Sequence, residues 1–284
     1  SDTSDIISIT ISPILSDITG NPGDVIEKTL KVTSIHSEKT QRYVMELRPF
    51  AADESGRTEI VDEEDPQYSL RNWVEFSPQV IELTPGETKI VNTTIRIPLD
   101  AEPGGRYGAF LASTKKEGEI KSGAGAVTVQ KVGTLAFLTI NGDIRYSGYI
   151  KEFLTEKFWY QRPPISFTTK ITNNGSAHFR PSGIISITNM IGKKVNDVPF
   201  DNNPVLPGNS RVFKSKIDGL GVGYYSANLV LQLGETQSAT SLVKFLILPW
   251  SWIIVSAAIL YLLIITIIRR KRILAAYRAF VSKE

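Results

Sequence analysis

The chain has 284 residues, a formal net charge of +3 and no cysteine, which excludes disulfide staples, thiol catalysis and Cys–zinc sites. From Arg269 on there are six basic residues and Glu284, a charge of +5, which leaves −2 for everything before them. The basic balance therefore belongs to the tail and gives no ground for nucleic-acid binding by the body.

From the N-terminus, apolar and polar residues alternate. DVIEKTLKVTS (24–34) has a period close to two and many β-branched residues, the strand signal. DESGRTEIVDEEDP (53–66) then carries seven carboxylates and one Arg. Carboxylate-rich loops offer several oxygens to Ca²⁺, but no EF-hand spacing is present. The stretch reads as a solvated, mobile loop, with calcium binding as the alternative. In RNWVEFSP, Trp73 and Phe76 are candidates to line a ligand groove, with core packing as the competing role. ETKIVNTTIRIP (87–98) is a second clear strand, and AVTVQKVGTLAFLTI (126–140) is a third. Pro-Gly turn signals recur at NPGD (21–24), TPGE (84–87), EPGG (102–105) and LPGN (206–209).

Gly142–Asp143 marks a boundary. Residues 146–154 are expected to open a second unit, and KFWYQRPP (157–164) leads into the strand ISFTTKITN (165–173). Trp159 and Tyr160 are candidates for an exposed aromatic platform. NNGSAHFRPSG (173–183) reads as a loop, with His178 in a structural role. His36 and His178 are the only histidines and fall in different units. There is an internal echo: DAEPGGRYGAFLA from Asp100 and DGLGVGYYSANLV from Asp218 each place a Tyr, Tyr107 or Tyr225, seven positions after the Asp. Each Tyr is expected to form a tyrosine corner, its hydroxyl bonded to nearby backbone at the start of a late sandwich strand.

The run from Phe245 to Ile268 has no charged residue and is long enough to cross a hydrocarbon core about 30 Å thick. Arg269, Arg270, Lys271 and Arg272 follow it directly, which predicts a cytoplasmic tail (269–284) and places the rest of the chain outside. An exported N-terminus needs a leader, expected to have been removed or to lie outside the sequence. The expected architecture is all-β: two tandem immunoglobulin-like β-sandwiches (1–142 and 143–244), one transmembrane helix (245–268) and a basic tail. No G-x-S-x-G elbow, H-E-x-x-H helix or Gly-rich phosphate loop is present, so no catalytic, cofactor or metal residues are assigned. Carboxylates brought together from distant strands are the catalytic arrangement that remains open.

Three stretches carry a family resemblance: ISPILSDITGNPGDVIEKTLKVTS within residues 9–34, FSPQVIELTPGETKIVNTTIRIPLDAEPGGRYGAFLAS (76–113) and ITNNGSAHFRPSGIISITNMIGKKV (171–195). In this order, ahead of a span and a basic tail, they resemble the WxL-interacting proteins of Gram-positive bacteria and their bacterial relatives. The resemblance implies two extracellular immunoglobulin-like domains on one anchor. It also implies a first domain that binds peptidoglycan and a second that engages proteins. The expected function is a bacterial cell-envelope adhesion or scaffold protein that binds cell-wall polymer or an envelope protein. The alternative is a non-catalytic, single-span subunit of a secretion, pilus or signalling complex.

Overall fold

The computed structural model describes residues 9–35, 39–63, 65–114, 131–234 and 237–281. His36 and the first part of the 126–140 stretch lie outside these, as do the tail side chains from Lys271 on, those of Lys271 and Arg272 included. Among the described residues the regular structure is strand throughout, followed by one C-terminal helix.

The earlier strands are β1 (Ile9–Ser12), β2 (Leu15–Gly20), β3 (Val25–Ser34), β4 (Gln41–Arg48), β5 (Phe50–Ala52), β6 (Thr58–Ile60), β7 (Val74–Ser77), β8 (Val80–Leu83), β9 (Thr88–Arg96), β10 (Gly104–Ser113) and β11 (Lys131–Ile140). The later ones are β12 (Gly148–Thr155), β13 (Trp159–Tyr160), β14 (Ile165–Asn173), β15 (Ser182–Asn189), β16 (Lys194–Pro199), β17 (Ser210–Ile217), β18 (Gly223–Leu233) and β19 (Gln237–Ile247). The earlier group forms sheets β1-β3-β9-β7 and β2-β11-β10-β4-β8, with β5-β6 as a separate hairpin. The later group repeats the plan as β12-β14-β17 and β13-β19-β18-β15-β16. In each group the opening strand pairs antiparallel in one sheet. The next strand crosses to the other sheet and runs parallel to the group's last strand.

Alternation decides which side of each strand is covered. In β14, Ile165, Phe167, Thr169, Ile171 and Asn173 are buried and their neighbours are half-exposed. One apolar core takes Leu30, Val32 and Val91 from one sheet of the earlier group and Tyr43, Phe110 and Leu138 from the other. A second core, sharing no residue with the first, joins Phe167, Ile171 and Phe213 to Leu229, Leu231 and Phe245. Each is the filling of a two-sheet sandwich.

Three of the Pro-Gly signals are tight turns. Gly23, Gly86 and Gly208 have φ of 88°, 77° and 72°, the value that a type II turn requires after Pro. The turns close through the N–H groups of Asp24, Glu87 and Asn209, which donate to Asn21, Thr84 and Leu206 carbonyls. EPGG differs: the Gly105 N–H donates to the Ser176 carbonyl, 2.9 Å away in the other group.

The long apolar helix starts later than its composition implies. β19 continues through Phe245 to Ile247, and the helix α1 runs from Trp250 to Val281. Phe245 is fully buried among the rings of Tyr160, Phe167 and Tyr225. Hydropathy alone cannot find this joint, because a buried strand end and a lipid-facing helix are equally apolar. Trp250–Arg270, 21 residues, is long and apolar enough to cross a membrane, with a mean hydropathy of 2.6 in its apolar window. Phe245→Ala is expected to destabilise the later sandwich by about 3–5 kcal/mol, as for a core Phe. Denaturant unfolding of the full chain in detergent micelles measures this; a lipid-exposed Phe would show almost no loss.

Candidate functional site

The two cores meet at a seam built on one buried polar side chain. Asn173, at the end of β14, has no solvent exposure. Its Nδ2 donates to the carbonyls of Ala177 (2.9 Å) and Val205 (2.8 Å), and its Oδ1 accepts from the Gly175 N–H (2.8 Å). The 173–180 loop is thereby held in one shape, and it turns its groups towards the earlier sandwich. The Ser176 carbonyl accepts from Gly105, where a Cβ on Gly104 (φ 135°) would lie 2.8 Å from that same oxygen. The His178 N–H donates to the Tyr107 hydroxyl at 2.8 Å.

The His178 ring is packed between Tyr107 and Phe137, with centroids 5.6 and 5.1 Å away. Burial pushes its pKa down to about 4, against the opposing pull of Asp17. It is therefore neutral at physiological pH, and its 3.7 Å approach to Asp17 is not an ion pair there. Asp17 instead takes Arg180, whose Nη2 donates to both carboxylate oxygens at 3.1 and 2.9 Å. Burial likewise raises the Tyr107 hydroxyl far above the usual phenol value, so it stays protonated. Tyr107 is thus not a tyrosine corner: its hydroxyl leaves its own sandwich and serves the seam. Tyr225 has the local geometry, donating to the Gly221 carbonyl four residues upstream at 3.1 Å.

The acidic stretch was expected as a solvated loop, and here the structure differs. Its first part is the turn and second strand of the β5-β6 hairpin, pressed onto the later sandwich. The Glu54 carbonyl accepts from the N–H of Val212 on the edge strand β17 (2.6 Å), and its carboxylate accepts from Lys170 Nζ at 2.7 Å. Backbone pairing to an exposed edge, reinforced by a half-covered ion pair, orders what composition alone reads as mobile. Among the described residues no group of three or more His, Cys, Asp or Glu is placed to hold a metal ion.

Beside the hairpin, both sandwiches line an open cleft of about 400 Å³. Phe50, Tyr68 and Tyr107 give it aromatic walls, the Pro207–Gly208 turn closes the far side, and Glu63 and Asp65 are its charged groups. Rings with an acidic rim suit a ligand with sugar-like or aliphatic C–H faces and hydroxyl or amine donors. A phosphate-rich ligand meets like charge there.

The aromatic candidates fall in different environments. Trp73 and Phe76 pack against the earlier core: Phe76 meets Phe110 edge-on at 5.5 Å, and the buried Arg106 guanidinium covers the Trp73 ring at 5.6 Å. Tyr160 is also a core residue, only 8% exposed, while its neighbour Trp159 is 45% exposed and donates its indole N–H to the Leu248 carbonyl. Arg269 and Arg270 lie exposed on α1 at the end of the apolar window. Sequence reading missed Tyr68 and the seam role of Asn173, Tyr107 and His178. The one available signal was the doubled glycine of EPGG, which a turn alone does not need.

No protein-family model matches the sequence, and no curated protein matches it. Among solved structures, the class 5 fimbriae chaperone CfaA is similar, with 15% identity over 83% of this chain and 98% of that one and a TM-score of 0.42. The E. coli chaperone DraB follows at 13% identity, 85% and 98% coverage and a TM-score of 0.36. The Pseudomonas aeruginosa CupB2 chaperone stands at 8%, 84% and 99%, and 0.35. Likeness this distant carries no weight for function.

Two outcomes are expected at the seam. Tyr107→Phe leaves the buried His178 N–H without its acceptor, at a cost of about 1–3 kcal/mol. Amide hydrogen exchange at His178 should quicken accordingly. The second concerns pH. Above pH 6.5 His178 is neutral folded and unfolded and contributes nothing. Between 6.5 and about 4 the unfolded chain gains a proton that the folded chain refuses, so stability falls through this window and the loss is complete below it. The size is about 3 kcal/mol. Urea midpoints at about pH 7 and about pH 4.5 should show this loss in the native chain and a smaller one in His178→Gln.

Proposed function

We propose that the chain is a single-span membrane protein whose two sandwiches are tandem immunoglobulin-like domains, forming a non-catalytic binding and scaffold unit of the cell envelope. Strand order supports the domain assignment. β1, β3, β9 and β7 take the A, B, E and D places of an immunoglobulin sheet, and β11, β10 and β4 the G, F and C places. In the later sandwich β12, β14 and β17 take A, B and E, and β19, β18 and β15 take G, F and C. The Tyr225–Gly221 bond sits at the start of strand F, where a tyrosine corner belongs. In this reading the domains run from about Ile9 to Ile140 and from Gly148 to Ile247, flanking the expected Gly142–Asp143 boundary. The basic residues after the span orient the tail to the cytoplasm and both domains outward.

The observation that carries the binding role is the cleft at the seam. It exists only because both domains are docked, and it combines aromatic walls with an acidic rim. The ligand is a wall glycopeptide or an envelope protein that presents hydroxyl or amine donors, in keeping with the resemblance to WxL-interacting proteins. The net charge of −2 outside the tail disfavours polyanionic wall polymers. Full-length protein in micelles should co-sediment saturably with protein-free sacculi. Tyr68→Ala should weaken that binding about tenfold, or about 1.4 kcal/mol. Absence of saturable binding by the native chain removes the wall ligand from this reading. The second reading, a subunit of a membrane-embedded secretion, pilus or signalling complex, draws support from α1. The helix continues to Val281, well past the apolar window that ends at Arg270.

A further inference from the structure

The short strand β13 is an unusual element: two residues long, yet fixed on every side. It runs parallel to the last two residues of β19, Trp159 opposite Leu246 and Tyr160 opposite Ile247. The Leu246 and Leu248 N–H groups donate to the Phe158 (2.7 Å) and Tyr160 (2.8 Å) carbonyls. The Trp159 indole N–H donates to the Leu248 carbonyl at 2.7 Å. Tyr160 anchors the turn from inside: its ring meets Phe245 at 6.3 Å, and its hydroxyl accepts from the Lys157 N–H at 3.1 Å. Despite this rigidity Phe158 is 60% exposed and Trp159 45%. Lys157 and Arg162 flank them, line a hollow of about 300 Å³ with Trp159, and pair with no carboxylate among the described residues.

Chain connectivity says what lies opposite. Leu248 is two residues from Trp250, where both α1 and its apolar window begin. If α1 crosses a bilayer, Trp250 stands at the interface, and a side chain hydrogen-bonded to Leu248 is within headgroup depth. Aromatic rings with an apolar body and a polar edge are stable at that level, and cations there meet lipid phosphates.

We propose that the 157–162 turn is a membrane foot: Phe158 and Trp159 enter the interface of the bilayer that α1 spans, and Lys157 and Arg162 hold its phospholipid phosphates. The inference rests on the reading of α1 as a membrane span. The foot, the strand β19 and the helix then form three supports, so the later sandwich stands at a fixed tilt instead of swivelling about Pro249.

The test uses the full chain in phospholipid vesicles. Trp73→Phe, Trp250→Phe and Trp252→Phe together leave Trp159 as the emitter, and a matching set leaves Trp252. An interfacial side chain sits about 5–10 Å into the headgroup–acyl boundary, so lipids brominated high on the acyl chain should lower Trp159 emission about twofold or more, and lipids brominated near its end far less. Lys157→Glu with Arg162→Glu should reduce that quenching. Because the native chain has no cysteine, a nitroxide on Gln161→Cys gives an independent depth from oxygen and nickel accessibility. A quenched Trp252 beside an unquenched Trp159 and a fully aqueous nitroxide overturns the foot while leaving the span intact. An unquenched Trp252 overturns the span, and the foot falls with it.

Discussion

Asn173 sits at the end of a buried strand with all of its side chain away from water, and its three hydrogen bonds determine how the two halves of the chain meet. An amide in that position is stable only if donors and acceptor are satisfied together, so the 173–180 loop has one low-energy shape. That shape presents the Ser176 carbonyl, the His178 N–H and the Arg180 guanidinium to the earlier sandwich as a set. Gly105, Tyr107 and Asp17 receive them. The burial of a neutral histidine follows from this one loop, and the acidic hairpin adds a second set of contacts across the seam through Val212 and Lys170.

The seam and the joint between β19 and α1 lie at opposite ends of the later sandwich. β14 runs from Ile165, near the helix, to Asn173, at the seam, so its nine residues separate the two by about 30 Å. The Leu248–Pro249 joint is braced by β13, and the seam is braced by backbone hydrogen bonds that cross it. In a membrane-spanning chain the height of the cleft above the bilayer is therefore a property of the fold.

Much of the fold was legible in the sequence. The strands at 24–34, 87–98 and 165–173 show a period of two because one face of each is covered, and the structure has β3, β9 and β14 there. Three Pro-Gly pairs read as turns and are turns, since only glycine takes that φ without strain. The candidate site was not legible. Trp73, Phe76 and Tyr160 are aromatic and were open to a surface role, yet each packs against a core; residue type alone does not separate the two uses of a ring. Tyr107 and Tyr225 occupy matching places in an internal echo, and their hydroxyls still go to different partners. One finds a carbonyl four residues back, while the other finds a loop from the opposite sandwich.

The sequence by itself determined the β character, the turn positions, the absence of disulfides and the presence of an apolar stretch long enough to span a membrane. These depend on local conformational preference and on composition, which act within a few residues. Only the tertiary structure decided where strand ends and helix begins, which tyrosine serves the seam, that the first part of the acidic stretch belongs to a docked hairpin, and that a cleft exists. Each of those depends on atoms from segments separated by many tens of residues. A hydrogen bond such as Tyr107 to His178 becomes favourable only after both cores have formed and brought its donor and acceptor out of water together.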